Sequence, residues 1–275
     1  MSGTIDPHDQ AGSALALWWL ADQFCGACRT FHKLRGVQLA AGVVGGVPLD
    51  APVLQPLLAE LLPDGAEVLI GGIADPGQVA ILLDAAGGRA LHITALDLCE
   101  TPLELCRQLD LPPNASLETR RLDLEALEDE AAYDLVLSHN LLPFLDAAAR
   151  TRVLERLHRS LKPGGRLVVV LRTGPVLAAA EAPHLRDAWL ARARRLIAEA
   201  ALPLPGPPGE LDALLEQLAA ERLEHAPWTA DPDEVERGLR EAGLMVERRL
   251  PSRLGPAMPM PGGAHVRQSW IFVCR

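Results

Sequence analysis

Short apolar runs in this chain end repeatedly on glycine, acids or small polar groups, and those ends are where chemistry would sit. Residues 68–78, VLIGGIADPGQ, read as a strand entering a glycine turn and then a helix. Gly71 and Gly72 allow a ligand to approach the backbone without a Cβ in the way. Ala74 and Asp75 complete the turn. Counted from Gly72, the dinucleotide pattern G-x-G-x-x-G falls on Ala74 and Gly77, so the pyrophosphate-binding form is incomplete, and Asp75 would repel a pyrophosphate. Asp97, followed by Leu98, closes the next strand 25 residues past Gly72, where a carboxylate can accept both hydroxyl protons of a ribose. Asp123 and Leu124 end a third strand and suit an adenine amino group and ring. Ser138, His139 and Asn140 end a fourth. Ser138 and Asn140 are candidates to hydrogen-bond a cofactor tail or substrate. His139 is the candidate base, because an imidazole at a pocket mouth can take a proton from a hydroxyl, amine or carbon acid. Plainer roles stand beside these: Asp97 as cap of the following helix, Asp123 as a surface acid, His139 as a hydrogen-bonded lining residue.

Cys25, Cys28 and His32 form C-x-x-C-x-x-x-H in FCGACRTFH. A structural zinc site needs four ligands, and no second cysteine pair of matching spacing occurs, so the expectation is no metal and buried helix cysteines. A thioredoxin-like role would need the pair just after a strand, whereas this one lies in a helical run.

The elements that must position these groups follow from periodicity. Residues 13–35 read as one amphipathic helix, and Asp50 as the N-cap of APVLQPLLAELL. From Gly65 onward, short apolar runs alternate with helical segments through RLVVVLRT, which implies parallel β-α-β units. A mostly helical stretch, 176–226, is interrupted by PLPGPPG. DPDEVERGLREAG is a capped helix, and LMVERRL and SWIFVC add two closing strands. The fold class is therefore α/β, a Rossmann-like doubly wound sheet, mostly parallel, with an antiparallel C-terminal strand pair and a helical N-terminal lid. The domain expectation is a lid at 1–62 and a ligand-binding Rossmann-like domain at 63–275 with the insertion at about 176–226. In such sheets ligands bind beyond the carboxyl ends of the strands, near the point where strand order reverses.

The chain has 275 residues, 49% hydrophobic and 23% charged, with a formal net charge of −10. That balance fits a globular chain and argues against phosphate-backbone binding. The arginines of LRDAWLARARRL read as a solvated helix face. No basic region precedes the short apolar run ALALWWLA, and five scattered cysteines fit reduced thiols, so the expectations are a cytoplasmic location, no membrane partner and no nucleic acid. A small-molecule substrate follows; the oligomeric state is open.

Three acids and a glycine loop at four strand ends describe a pocket for adenosine bearing a positive substituent, and S-adenosylmethionine (SAM) meets that description. Over about residues 65–172 the chain resembles the class I SAM-dependent methyltransferases. VLIGGIADPG is similar to the family's first motif, ITALDLCETPLELC to the acidic end of its second strand, and RLDLEAL to its adenine segment. YDLVLSHNLLPFL and LHRSLKPGGRLVVV are similar to its fourth and fifth strand blocks. The resemblance implies that Gly72 and its neighbours touch the methionine moiety, Asp97 the ribose and Asp123 the adenine. The first motif departs from the family: Ile70 stands where an acid is usual, and the second and third glycines fall on Ala74 and Pro76. Asp75 is then a candidate to hold the cofactor's amino group. It further implies methyl transfer to a small, specialised metabolite, with the N-terminal helices and their aromatics shaping the acceptor pocket. Two other readings stay open: a methyltransferase-fold enzyme that uses SAM as its own substrate, by cyclisation or elimination with release of methylthioadenosine, and a non-catalytic SAM-binding or scaffold protein. A nicotinamide-dependent dehydrogenase is disfavoured by Asp75 and the incomplete glycine pattern.

Overall fold

A computed structural model describes residues 4–173, 182–224, 231–252 and 268–275. Seven strands form one sheet: β1 (Ala66–Gly71), β2 (Leu91–Asp97), β3 (Ala115–Arg121), β4 (Tyr133–His139), β5 (Leu161–Thr173), β6 (Val246–Pro251) and β7 (Gln268–Cys274). Their order is β3-β2-β1-β4-β5-β7-β6. β1 through β5 pair in parallel, and β7 runs antiparallel between β5 and β6. The order reverses between β1 and β4, so the crevice lies at the ends of β1, β2 and β4.

The central strands are apolar on both faces, as a sheet covered on both sides requires. Val68, Ile70, Ile93 and Leu137 face one core with helices α3 (Val47–Leu61) and α4 (Gly77–Ala86). Leu69, Val136, Val169 and Phe272 face the other with α6 (Ala147–Ser160) and α9 (Pro232–Glu241). The remaining long helices are α1 (Gln10–Phe24), α2 (Arg29–Ala40), α5 (Glu100–Arg107), α7 (Ala182–Ala200) and α8 (Glu210–Glu224).

A third apolar cluster builds a helical cap. Trp18, Leu34 and Val37 of α1 and α2 pack against Trp189 and Ile197 of α7 and Leu215 of α8. The helices expected at 1–62 and at 176–226 thus share a core, while α3 joins the sheet; residues 176–181 and 225–226 lie outside the described residues. α1 and α2 cross so closely that a Cβ on Gly36 would lie 2.5 Å from the Ala14 Cα. Lys33 is 1% exposed within this cap. Its ammonium is 2.6 Å from Glu210 and 2.8 Å from Asp22, and it lies 4.7 Å from the Trp18 ring centroid. A buried cation is tolerated only with such partners. The arginines of α7 turn outward to acids: Arg194 pairs with Asp212 and Glu216, and Arg195 with Glu199.

Two expectations are corrected. The single helix at 13–35 is two, broken at residues 25–28, where Cys25 is extended and Gly26 follows. Gly is a poor helix residue, and the apolar pattern on either side belongs to two faces rather than one. Asp50 is not the N-cap of α3. The helix starts at Val47 after the extended Gly46, because Pro48 suits the first turn, and Asp50 falls inside it, fully buried.

Candidate functional site

The first loop is built around Gly72, whose φ of +82° lies in the left-handed region. A Cβ there would also lie 2.9 Å from the Leu141 side chain, so glycine is required twice over. Its N–H donates to the Leu96 carbonyl at 3.0 Å, and its carbonyl accepts from the Gln78 side chain at 2.9 Å. These bonds tie the loop to the end of β2 and to the first turn of α4. Gly71 sits above Leu124, whose side chain would be 3.6 Å from an added Cβ, so the first loop and the third strand end meet. Ala74 is half-buried.

Asp97 stands beside that loop. One oxygen accepts from the Ile73 N–H at 3.1 Å and the other from the Cys99 N–H at 2.7 Å. α5 has Cys99, not Asp97, as its N-cap, so Asp97 shapes the turn before the helix. Each carboxylate oxygen keeps a further lone pair for a ligand hydroxyl. Burial pushes its pKa up to about 6, against the Cys99 N–H, the nearby His32 and the Ile73 N–H.

Asp75 is buried where Asp97 is half-buried, and its electrostatics are opposite. Its Oδ2 lies 2.9 Å from Arg35 Nε and 2.8 Å from Nη2, and its Oδ1 accepts from the Gly77 N–H at 2.9 Å. Burial raises its pKa, but the Arg35 charge and the Gly77 N–H outweigh it and hold the carboxyl below the usual range. The carboxylate is thus directed at a cation on α2.

At the end of β4, His139 and Asp50 face one another, with His139 Nε2 3.6 Å from Asp50 Oδ2 and side-chain exposures of 5% and 0%. Ser252, just after β6, donates to the other Asp50 oxygen at 2.5 Å. At 3.6 Å the imidazole and carboxylate are in electrostatic contact without a hydrogen bond. Asn140 adopts φ of +56°, which asparagine tolerates, donates its N–H to the Val170 carbonyl and lies 3.5 Å from the His139 ring nitrogen Nδ1. Ser138 is fully buried, and its hydroxyl has no partner among the described residues.

The structure therefore brings Gly71, Gly72, Asp97 and Leu124 together, with His139 and Asn140 at the neighbouring strand end. Asp123 is exposed and caps the turn Leu124–Ala126 through the Glu125 N–H, and Leu98 is 66% exposed. Trp18 is buried in the cap, whereas Trp19 and Phe24 are exposed and Phe31 stacks edge-on against Phe144.

Sequence reasoning missed Arg35, Asp50, Ser252 and Cys99. Nothing in spacing marked the first three. Cys99 carried a signal, since it lies two residues past the nominated Asp97. It joins Cys25, Cys28 and His32 in a group whose ligand atoms all lie within 4.8 Å of one another and could hold a metal ion.

Residues 74–165 match a family model described as a methyltransferase domain. No curated protein matches the sequence. Among solved structures, one chain of the complex between the Haloferax volcanii Trm112 methyltransferase activator and a methyltransferase is 15% identical. The match covers 86% of this chain and 92% of that one, with a TM-score of 0.52, a likeness of fold. A SAM-dependent methyltransferase from Methanosarcina mazei is 16% identical over 80% of this chain and 96% of that one, with a TM-score of 0.48. A possible exported protein from Bordetella parapertussis is 22% identical over 81% of this chain, with a TM-score of 0.47, and the match spans 66% of that protein's length. Among the described residues no helix is long and apolar enough to cross a membrane.

Proposed function

We propose that the chain is a class I SAM-dependent methyltransferase, which transfers a methyl group from SAM to a small specialised metabolite. The observation that carries this reading is the Asp97 carboxylate at the end of β2, locked beside the left-handed Gly72 turn at the point where strand order reverses.

Asp97 accepts the ribose hydroxyls with its remaining lone pairs. Gly71, Gly72 and Ala74 leave room for the methionine moiety, and Leu98 and Leu124 flank the base beside Asp123. Asp75 acts as a positioning residue, fixing Arg35 of α2 over the first loop. Ser138 and Asn140 offer hydrogen bonds at the β4 end. SAM supplies a methyl carbon already activated by its sulfonium. The protein's task is to align the acceptor and exclude water.

His139 removes the acceptor's proton, and Asp50 stabilises the imidazolium so formed, being held in place by Ser252. Both side chains are shielded, which suits an acceptor small enough to enter the crevice. His139→Gln is expected to lower kcat by about 10²-fold or more while leaving the Kd for SAM within a few-fold. A fall in SAM affinity with kcat retained would remove His139 from the reaction.

Calorimetric titration with SAM, followed by mass spectrometry of the nucleosides formed with and without candidate acceptors, tests the reading. It expects binding, no turnover alone, and S-adenosylhomocysteine once an acceptor is present. Methylthioadenosine released without acceptor would make SAM itself the substrate, and absence of binding would leave a scaffold protein.

A further inference from the structure

We propose that Cys25, Cys28, His32 and Cys99 form a closed tetrahedral site for zinc, which clamps the N-terminal helices to the end of β2. The site stands apart from the proposed methyl transfer and does not depend on it.

The geometry is that of four converging donors. Cys99 Sγ lies 3.6 Å from Cys25 Sγ and 3.4 Å from Cys28 Sγ, and Cys25 Sγ lies 3.2 Å from His32 Nδ1. A tetrahedron with Zn–S near 2.3 Å and Zn–N near 2.0–2.1 Å has S–S edges of about 3.8 Å and S–N edges of about 3.5 Å. These three pairs need to open by a few tenths of an ångström, and no pair of donors lies farther apart than 4.8 Å, so side-chain adjustment would seat the ion. Three thiolates and one imidazole are a recognised structural zinc set, whereas hard cations such as magnesium take oxygen ligands.

The local fold explains the convergence. Cys25 is the C-cap of α1, Cys28 the N-cap of α2, and His32 lies one turn further along α2 and so returns to the same side. Cys99 is the N-cap of α5 and comes from the opposite direction in sequence. His32 is 4% exposed and Thr101 0%, and the Thr101 hydroxyl lies 2.8 Å from Cys25 Sγ, where it can donate to a bound thiolate as outer-shell groups at metal sites do. A disulfide would join two sulfurs and leave the third cysteine and His32 unexplained; the fourth donor at the same centre points to a cation.

All four positions are protein ligands, so none is left for substrate, and the role is structural. Its consequence lies in the adjoining turn. The Cys99 N–H donates to Asp97, so an ion holding Cys99 also holds the turn that aims the Asp97 carboxylate.

The test is elemental analysis of the full chain purified under reducing conditions without chelator, followed by replacement with cobalt(II). The expectation is about one zinc per chain, and a cobalt form with intense visible bands of a tetrahedral site and a sulfur-to-cobalt charge-transfer band. Cys28→Ser and Cys99→Ser should each lower retained zinc to a small fraction of an equivalent after dialysis. Should either variant fail to fold, the cobalt spectrum of the unaltered chain still decides. A folded, unaltered chain that holds no stoichiometric zinc and gives no thiolate-to-cobalt band would overturn the proposal. So would a mass 2 Da lower that dithiothreitol restores, which marks a disulfide within the cluster.

Discussion

Asp75 and Asp97 sit at neighbouring strand ends, both largely withdrawn from water, and their environments drive them in opposite directions. Asp75 has a guanidinium at 2.8 Å and is held ionised. Asp97 has only backbone N–H donors on its oxygens and is pushed up to about 6. A buried acid already paired with a cation has spent its charge on the fold, whereas one held by two N–H groups keeps its acceptor capacity for a ligand. On the proposed function the difference separates a positioning carboxylate from a binding one, although both stand at strand ends that the sequence marks as candidates for the cofactor.

The contrast is open to direct attack. The largest effect is expected at Asp75: Asp75→Asn leaves Arg35, only 16% exposed, without its counter-charge, and should lower unfolding free energy by about 3 kcal/mol in urea titration. A loss well below 1 kcal/mol would mean that the pair does not anchor α2. Asp97→Asn should act on binding instead, weakening SAM about 10- to 100-fold by calorimetry, the worth of hydrogen bonds to a charged acceptor, with a smaller effect on stability. If SAM affinity tracks Asp75 and not Asp97, the assignment of the two acids is reversed.

Gly72→Ala comes next. It forces a left-handed backbone on a residue with a Cβ and drives that Cβ against Leu141, for about 1–2 kcal/mol of destabilisation and weaker SAM binding. Unchanged thermal unfolding would show that the turn relaxes freely. The smallest effect is in acid. Because the folded-state pKa of Asp75 is depressed, its stabilisation is present above the ordinary value of 3.8 and is lost as pH falls through the lower folded value. Arg35→Gln removes the cation that opposes burial, so the acid limb of the stability curve should move to higher pH; an unmoved limb would place the depression elsewhere.

Much of the sheet was legible because burial writes itself into local pattern. VLIGG, ALHITALD, YDLVLSH and RLVVVLRT are short apolar runs between helical segments, and each is a strand at the expected place. The positions of the glycine turn and of Asp97 at the ends of β1 and β2 were legible too, because turn chemistry marks where apolar runs stop. The roles of Asp50 and Asp75 were not. Their neighbours in sequence suggest a helix cap for Asp50 and a contact to the cofactor's amino group for Asp75, while their charge partners come from other elements: His139 from β4 and Arg35 from α2.

By itself the sequence determined the alternation of strands and helices, the parallel sheet with its reversed last strand, and which residues stand at the strand ends. These follow from periodicity, from turn chemistry and from the need to bury apolar faces, all of which act over a few residues. Only the tertiary structure decided that α1 and α2 share a core with α7 and α8, that Asp50 meets His139, and that Cys99 joins Cys25, Cys28 and His32. Those meetings span from 67 residues of chain, between His32 and Cys99, to more than 140, between α2 and α7. Spacing along the chain carries no record of such contacts, because they are set by how whole elements pack.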